Sequence, residues 1–313
     1  MKFKSFAIPL GQKLAAVERN WPHRVKNRVF NLPPLPSGPR ERKLVVLCEP
    51  RTFADGCWSA WSWMRHVGED LALTLMVDGV VEDSWRDAFQ KLFPGAHIES
   101  LPEFLAQRPR PGPAFARFLE HYTYARKLAL LLALQQDGDF LYADADVALF
   151  RRPDLILETI RTPGAPALFM QEVNCWCVDP WVAQTAERLS LPRHNDLNSG
   201  LLWTPRHSLD TGIVERFLAE WQPAYFHRVT EQTLLGVLMA VNGARGLPPD
   251  EYVVSSEGMY FWMRDGTDYR KIVARHFVGN VRHLLYRTGW PLLLAESRRE
   301  ARALASGMRA GAA

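Results

Sequence analysis

The run Phe140-Leu-Tyr-Ala-Asp144-Ala-Asp146-Val-Ala-Leu-Phe150 places two carboxylates one residue apart at the end of a short apolar stretch. A fully buried strand reads as about four to eight consecutive apolar residues. In open α/β sheets ligands collect beyond the carboxyl ends of the strands, which is where Asp144 and Asp146 would sit. Two carboxylates there suit a hard divalent cation, and magnesium-type ions are held through one or two carboxylates plus substrate phosphates. The chemistry suggested is work on a phosphate-bearing donor. Two Asp at a strand end also serve as a plain turn or helix cap, but the apolar Val147 to Phe150 that follows favours the metal role.

The chain around this run alternates strand and helix signals. Lys43 to Cys48 reads as a first strand, Ser59 to His66 as a Trp-rich helix, and Leu71 to Val77 as a second strand. Trp85 to Phe93 reads as a helix and Ala96 to Ser100 as a short strand. After a Pro/Gly break at Arg108 to Pro113, an apolar stripe through Phe115, Phe118, Leu119, Tyr122, Leu128, Leu131 and Leu134 predicts one long helix from Ala114 to Gln135. Asp137-Gly138 turns the chain into the carboxylate strand. Such alternation implies an α/β fold, a mainly parallel sheet covered on both faces.

The net charge of +4 conceals an uneven distribution. Met1 to Lys43 carries ten Lys or Arg against two Glu, about +8, which leaves the remainder near −4. Phe3, Phe6, Leu10, Leu14, Val17 and Trp21 space as one helical face among Lys2, Lys4, Lys13 and Arg19. A basic amphipathic helix over residues 1–30 can lie on an anionic membrane surface or pack on its own domain. Leu32 to Pro39 reads as a semi-rigid linker. No apolar run reaches the roughly 18 residues of a membrane span, and the N-terminus lacks a secretory h-region. The expected location is therefore cytoplasmic, with peripheral contact at the cytoplasmic membrane face through the arm. Cys48, Cys57, Cys175 and Cys177 do not form a paired metal-binding spacing, and reduced thiols are expected. No recognised nucleic-acid module appears. The boundaries read as an arm and linker over 1–42, one domain over 43–290, and a basic tail over 291–313 that frays or lacks order.

Four segments, in order, then carry a resemblance. Tyr124-Ala-Arg126-Lys127-Leu128 resembles a basic helix segment that reaches the donor, and Phe140 to Val147 an apolar Asp-x-Asp block. Leu197-Asn198-Ser199-Gly200 is similar to a Phe-Asn-(Ser/Ala)-Gly segment, and His276-Phe-Val-Gly279-Asn-Val-Arg282 to His-Phe-x-Gly-x-x-Lys. Together the chain resembles the retaining glycosyltransferases of the glycogenin and bacterial lipopolysaccharide galactosyltransferase type. The resemblance implies a GT-A nucleotide-diphospho-sugar transferase fold, a single mainly parallel mixed sheet flanked by helices. It implies a Mn2+ (or Mg2+) site made by Asp144, Asp146 and His276, and a nucleoside diphosphate sugar donor, a UDP-sugar foremost. Arg126 or Lys127, with Gly279 and Arg282, would meet the diphosphate, and Gln232, Glu231 and Asn198 would serve catalysis near the anomeric carbon. The acceptor would be a glycan, glycolipid or protein, with no nucleic-acid partner.

The sequence departs from that pattern where Arg282 replaces Lys and Glu231 replaces Asp, and the following Pro-Trp is missing. Arg still meets phosphate bidentately. Trp58, Trp61 and Trp63 could stack on a sugar or base, though aromatics at such spacing mostly fill a core. His194-Asn195-Asp196 reads equally as a sugar contact or a polar loop. Two other functions fit the same residues. Asp144-Ala-Asp146-Val147 matches the nucleophile motif of haloacid-dehalogenase phosphatases, and a non-catalytic nucleotide-sugar-binding module could keep the fold without the reaction.

Overall fold

The computed structural model describes Val17 and residues 24–38, 42–109, 112–173, 178–254 and 266–310, without the side chains of 69, 280 and 304–310. The helical face proposed over Phe3 to Trp21, Val17 apart, and the Cys175-Trp176-Cys177 run lie outside these residues. A seven-stranded sheet has the order β3-β2-β1-β4-β7-β6-β8. Its strands are β1 (Lys43–Cys48), β2 (Ala72–Val77), β3 (His97–Ser100), β4 (Phe140–Asp144), β6 (Leu168–Gln171), β7 (Leu197–Thr204) and β8 (Arg245–Gly246). The first four in the order pair in parallel, and β7 runs antiparallel to both β4 and β6. This is the mainly parallel mixed sheet that the alternating pattern implied. A second sheet, not foreseen from sequence, joins β5 (Val147–Leu149), β10 (Ala274–His276) and β9 (Tyr252–Val253).

Strand side chains alternate between faces, and each face of the large sheet has its own core. Leu44, Val46, Leu141 and Ala143 point to one, where α1 (Phe53–Val67), α2 (Asp83–Leu92), α6 (Asp154–Arg161) and α10 (Trp290–Ala310) pack. Val45, Phe140 and Tyr142 point to the other, under α4 (Pro113–His121), α5 (Ala125–Asp137), α7 (Pro180–Arg188), α8 (Thr211–Ala219) and α9 (Thr230–Val241). The same alternation turns Asp144 toward α5, the side that Tyr142 faces.

Three local differences matter. The long helix expected from Ala114 to Gln135 is two helices, because Tyr122 is extended (φ −130°, ψ 106°) and donates from its hydroxyl to the His227 carbonyl at 3.0 Å. The run Tyr122-Thr123-Tyr124 is poor in helix formers, and the break brings Arg126 and Lys127 into the first turn of α5. The short helix α3 (Leu101–Ala106) was missed, although Ser100 caps it by accepting from Glu103 N and Pro102 occupies its first turn. Helix α1 starts six residues before the expected Ser59, and Gly56 lets it approach β1: a Cβ there would lie 2.9 Å from Cys48 Cβ.

The Trp-rich helix fills the core, with Trp58, Trp61 and Trp63 each at most 2% exposed. The preceding arm and linker lie along the domain from Lys26 on and supply acceptors to two of them. Trp58 Nε1 donates to Lys26 O at 2.9 Å and Trp61 Nε1 to Pro33 O at 3.2 Å, while Val29 is fully buried. Lys26 pairs with buried Asp55 at 3.2 Å, which also accepts from Tyr286 and Trp290. Helix α10 continues into the segment read as a tail, with Leu293 and Leu294 in the core and Arg65 bonded to Glu296 at 2.6 Å.

Candidate active site

Strand β4 ends at Asp144, and the chain turns through Ala145 and Asp146 into β5. Strand β10 lies antiparallel to β5 with His276 opposite Val147, and Phe277 N donates to Asp146 O at 2.8 Å. That register sets an imidazole 130 residues away against the aspartate pair. His276 Nε2 is 3.1 Å from Asp146 Oδ1 and 3.7 Å from Asp144 Oδ2. One ligand atom from each of Asp144, Asp146 and His276 fits within 4.8 Å of the others, as a metal ion requires.

The imidazole orientation is set from behind. Asn198 Oδ1 accepts from Gly200 N at 3.0 Å and lies 2.7 Å from His276 Nδ1, so the ring nitrogen there is the donor. With Nδ1 turned to Asn198, Nε2 is the nitrogen that faces the two carboxylates, the arrangement in which metal-bound imidazoles donate their other N–H to an oxygen. Gly200 is required by proximity: a Cβ on it would lie 2.3 Å from the His276 ring. Asn198 is therefore a positioning residue in this geometry, 3% exposed and not part of the cleft wall.

Cations close over the carboxylates. Lys127 Nζ lies 3.0 Å from both oxygens of Asp144 and 3.1 Å from Ser199 Oγ, and the Tyr142 hydroxyl also donates to Asp144. Arg282 donates to Asp146 from Nε at 2.9 Å and from Nη2. Burial would raise the Asp146 carboxyl, but Arg282 and His276 overcome it and hold it well below the usual range. Burial likewise opposes charge on Lys127, and Asp144 and Glu231 more than offset it. Arg126 points elsewhere, to Asp78 Oδ1 at 2.8 Å. Both members of the basic pair line the cleft, which the sequence left open.

Glu231 stands in the first turn of α9, 6% exposed, and burial pushes its carboxyl up to about 7 with Lys127 pulling the other way. Its Oε1 has no hydrogen-bond partner among the described residues. Gln232 Oε1 lies 3.4 Å from Ser199 N, behind the cleft wall. Gly279 is exposed in the turn after β10, outside the wall. The loop around His194 is tied down structurally: His194 packs on Phe169, and Asp196 accepts from Gln171 at 2.7 Å.

The cleft over these groups holds about 550 Å³, within the usual range for small-molecule sites. Six carboxylates (Glu49, Asp55, Asp78, Asp144, Asp146 and Glu231) and three cations (Arg126, Lys127 and Arg282) line it. Carboxylates outnumber cations in the wall, so the donor set and its surroundings both fit a divalent cation. The sequence missed Tyr142, Asp78 and Tyr124. Tyr142 was legible from strand period two, since it shares a face with Asp144; Tyr124 stood at the head of the basic segment without being singled out, and Asp78 had no signal beyond its position at the end of a strand.

No protein-family model matches the sequence, and no curated protein matches it. Solved structures do share the fold. Mouse xyloside xylosyltransferase 1 superposes with a TM-score of 0.51 at 12% identity, covering 77% of this chain and 98% of that one. The galactosyltransferase LgtC, in complex with donor and acceptor sugar analogs, gives 0.50 at 17% identity over 75% and 87%. The bifunctional glycosyltransferase WbbM gives 0.50 at 11% identity over 76% of this chain and 46% of its own, so the chain spans less than half of WbbM. At these identities the likeness is one of fold, and the fold is GT-A.

Proposed function

We propose that the chain is a metal-dependent glycosyltransferase that moves a sugar from a nucleoside diphosphate sugar, a UDP-sugar foremost, to an acceptor hydroxyl. The observation that carries this reading is the convergence of Asp144 at the end of β4, Asp146 in the turn after it and His276 on β10, with Arg126, Lys127 and Arg282 around the same cleft. Support also comes from the GT-A fold it shares with LgtC, whose structure holds donor and acceptor sugar analogs. Analogy of fold does not establish chemistry, so the roles follow from the residues.

Asp144, Asp146 and His276 would hold a Mn2+ or Mg2+ ion, which would supply Lewis-acid neutralisation of the diphosphate. Lys127 and Arg282, already beside the ligand carboxylates, add fixed positive charge where negative charge builds on the leaving phosphate. In the transfer, the bond from anomeric carbon to phosphate oxygen breaks with its electron pair going to the diphosphate. A bond forms from the acceptor oxygen to the anomeric carbon, and the hydroxyl proton goes to a carboxylate. Glu231 suits that last role, because a carboxyl near pH 7 is matched to accept a proton there. Retention follows the family resemblance, and the basic arm supports a glycan or glycolipid acceptor at a cytoplasmic membrane face.

The test is nucleoside diphosphate release from a panel of UDP-, GDP- and other nucleotide sugars, with Mn2+, with Mg2+ and with chelator. Metal-dependent release from one donor is expected. If no nucleotide sugar is bound with any metal, the reading fails; binding without hydrolysis or transfer would support the non-catalytic module instead. The phosphatase alternative loses ground because both oxygens of Asp146 are engaged by His276 and Arg282 and the fold is GT-A.

A further inference from the structure

The cleft has a second polarity. Two aromatic side chains of its wall stand open to solvent, Tyr124 at 55% and Phe226 at 53% exposure. They come from loops about a hundred residues apart and meet across a shared, buried partner. Tyr122 lies 5.6 Å from the Tyr124 ring and 5.4 Å from that of Phe226, and its hydroxyl is anchored on the His227 carbonyl at 3.0 Å. The open rings are thus seated on a fixed support.

Large exposed apolar side chains gathered at one site mark a binding surface, and ligand pockets combine aromatic walls with a few placed polar groups. Here the polar group is Glu231, 94% buried by its 6% exposure, in the same cleft wall, with Oε1 unpartnered among the described residues. An aromatic face beside a hydrogen-bond acceptor matches a pyranose, which offers an apolar C–H face and hydroxyl donors at its edge. The topology favours the acceptor over the nucleoside. The ends of β1 and β2, with Glu49, Thr52 and Asp78, form one half of the cleft, and Phe226 and Glu231 enter from beyond β4 on the other. The aspartate pair lies between the two halves.

We propose that Tyr124 and Phe226 form an acceptor subsite for a pyranose ring, one of whose hydroxyls faces Glu231. This rests on the glycosyltransferase reading and narrows its acceptor to the sugar end of a glycan. It assigns the rings to specificity rather than to the chemical step.

The test uses the full chain with UDP and Mg2+, and methyl pyranosides of several hexoses as probes, with glycerol as a polyol without a ring face. Saturation-transfer NMR is expected to show at least one pyranoside bound through the C–H protons of one face, and glycerol not bound. Tyr124→Ala and Phe226→Ala should each weaken that pyranoside at least tenfold while UDP affinity changes by less than twofold, and Tyr124→Phe and Phe226→Tyr should restore it. Both positions are half exposed, so the alanine variants keep the fold. If the wild type binds UDP but no pyranoside, or if the alanine variants weaken UDP and pyranoside in parallel, the subsite is refuted; the second result gives the rings to the nucleobase. If the wild type binds no nucleoside diphosphate, the glycosyltransferase reading itself falls and takes this one with it.

Discussion

Gly200→Ala tests the construction of the metal site without touching a ligand. A Cβ at position 200 would lie 2.3 Å from His276 Cε1 and Nδ1 and 3.0 Å from Asn198 Oδ1, against ordinary contacts of 3.4 Å or more. The ring must therefore move by about 1 Å, since the neighbouring backbone is a central strand of a packed sheet. Its bond to Asn198 is 2.7 Å, and a shift of that size takes it past hydrogen-bonding range. Overpacking of this kind costs about 1–3 kcal/mol, and a buried polar group left without its partner costs about 1–3 kcal/mol more. A stability loss of about 2–6 kcal/mol is expected by urea denaturation. Disturbing the group that orients a ligand imidazole lowers metal affinity by about 10- to 100-fold, which manganese titration calorimetry would read. Gly138→Ala is the control, because a Cβ there meets nothing within 4 Å. Wild-type stability together with wild-type manganese affinity in Gly200→Ala would refute both the packing argument and the ligand role of His276.

Asp146→Asn should reduce metal-dependent donor turnover by at least about 100-fold while circular dichroism stays native; unchanged turnover would remove Asp146 from the site. Burial works to raise Asp146, yet Arg282 and His276 hold it below its ordinary 3.8, so its stabilising contribution is present above that pH and lost as pH falls beneath it. Wild-type protein should accordingly lose more stability below pH 4 than the Asn variant does. Glu231 has the opposite sign: held at about 7 by burial, it keeps a proton that the unfolded chain loses near 4.5, so stability falls as pH rises between those values. Glu231→Gln should gain about 1–3 kcal/mol over wild type at pH 8 relative to pH 4, and an equal difference at both pH values would contradict the burial argument. Removing residues 1–23 leaves the packed segment intact and tests the arm, since unchanged liposome association would rule it out as an anchor. Extending the deletion through residue 38 takes away buried Val29 and Leu32 and the acceptors of Trp58 and Trp61, with an expected loss of about 3 kcal/mol or more in a urea melt.

What the sequence determined by itself was local and periodic. The strands Lys43–Cys48 and Phe140–Asp144 were legible because burial on both faces of a parallel sheet forces unbroken apolar runs, and their order with the intervening helices implied the α/β architecture. The aspartate pair was legible because the apolar run resumes at Val147 to Phe150, which a plain turn or helix cap does not explain. Tertiary structure decided the rest. His276 could be guessed only through a resemblance, since the β5–β10 register that sets it against Asp146 spans 130 residues and leaves no periodic trace. The helix break at Tyr122 depends on a contact with His227, and a stripe of apolar residues alone does not reveal it. The neutral-range Glu231, the closure of Lys127 and Arg282 over the aspartates, and the linker laid against Trp58 and Trp61 are all effects of burial and of charges brought close by folding. Periodicity records which face of an element meets the core; it holds no record of which distant side chain the fold places opposite.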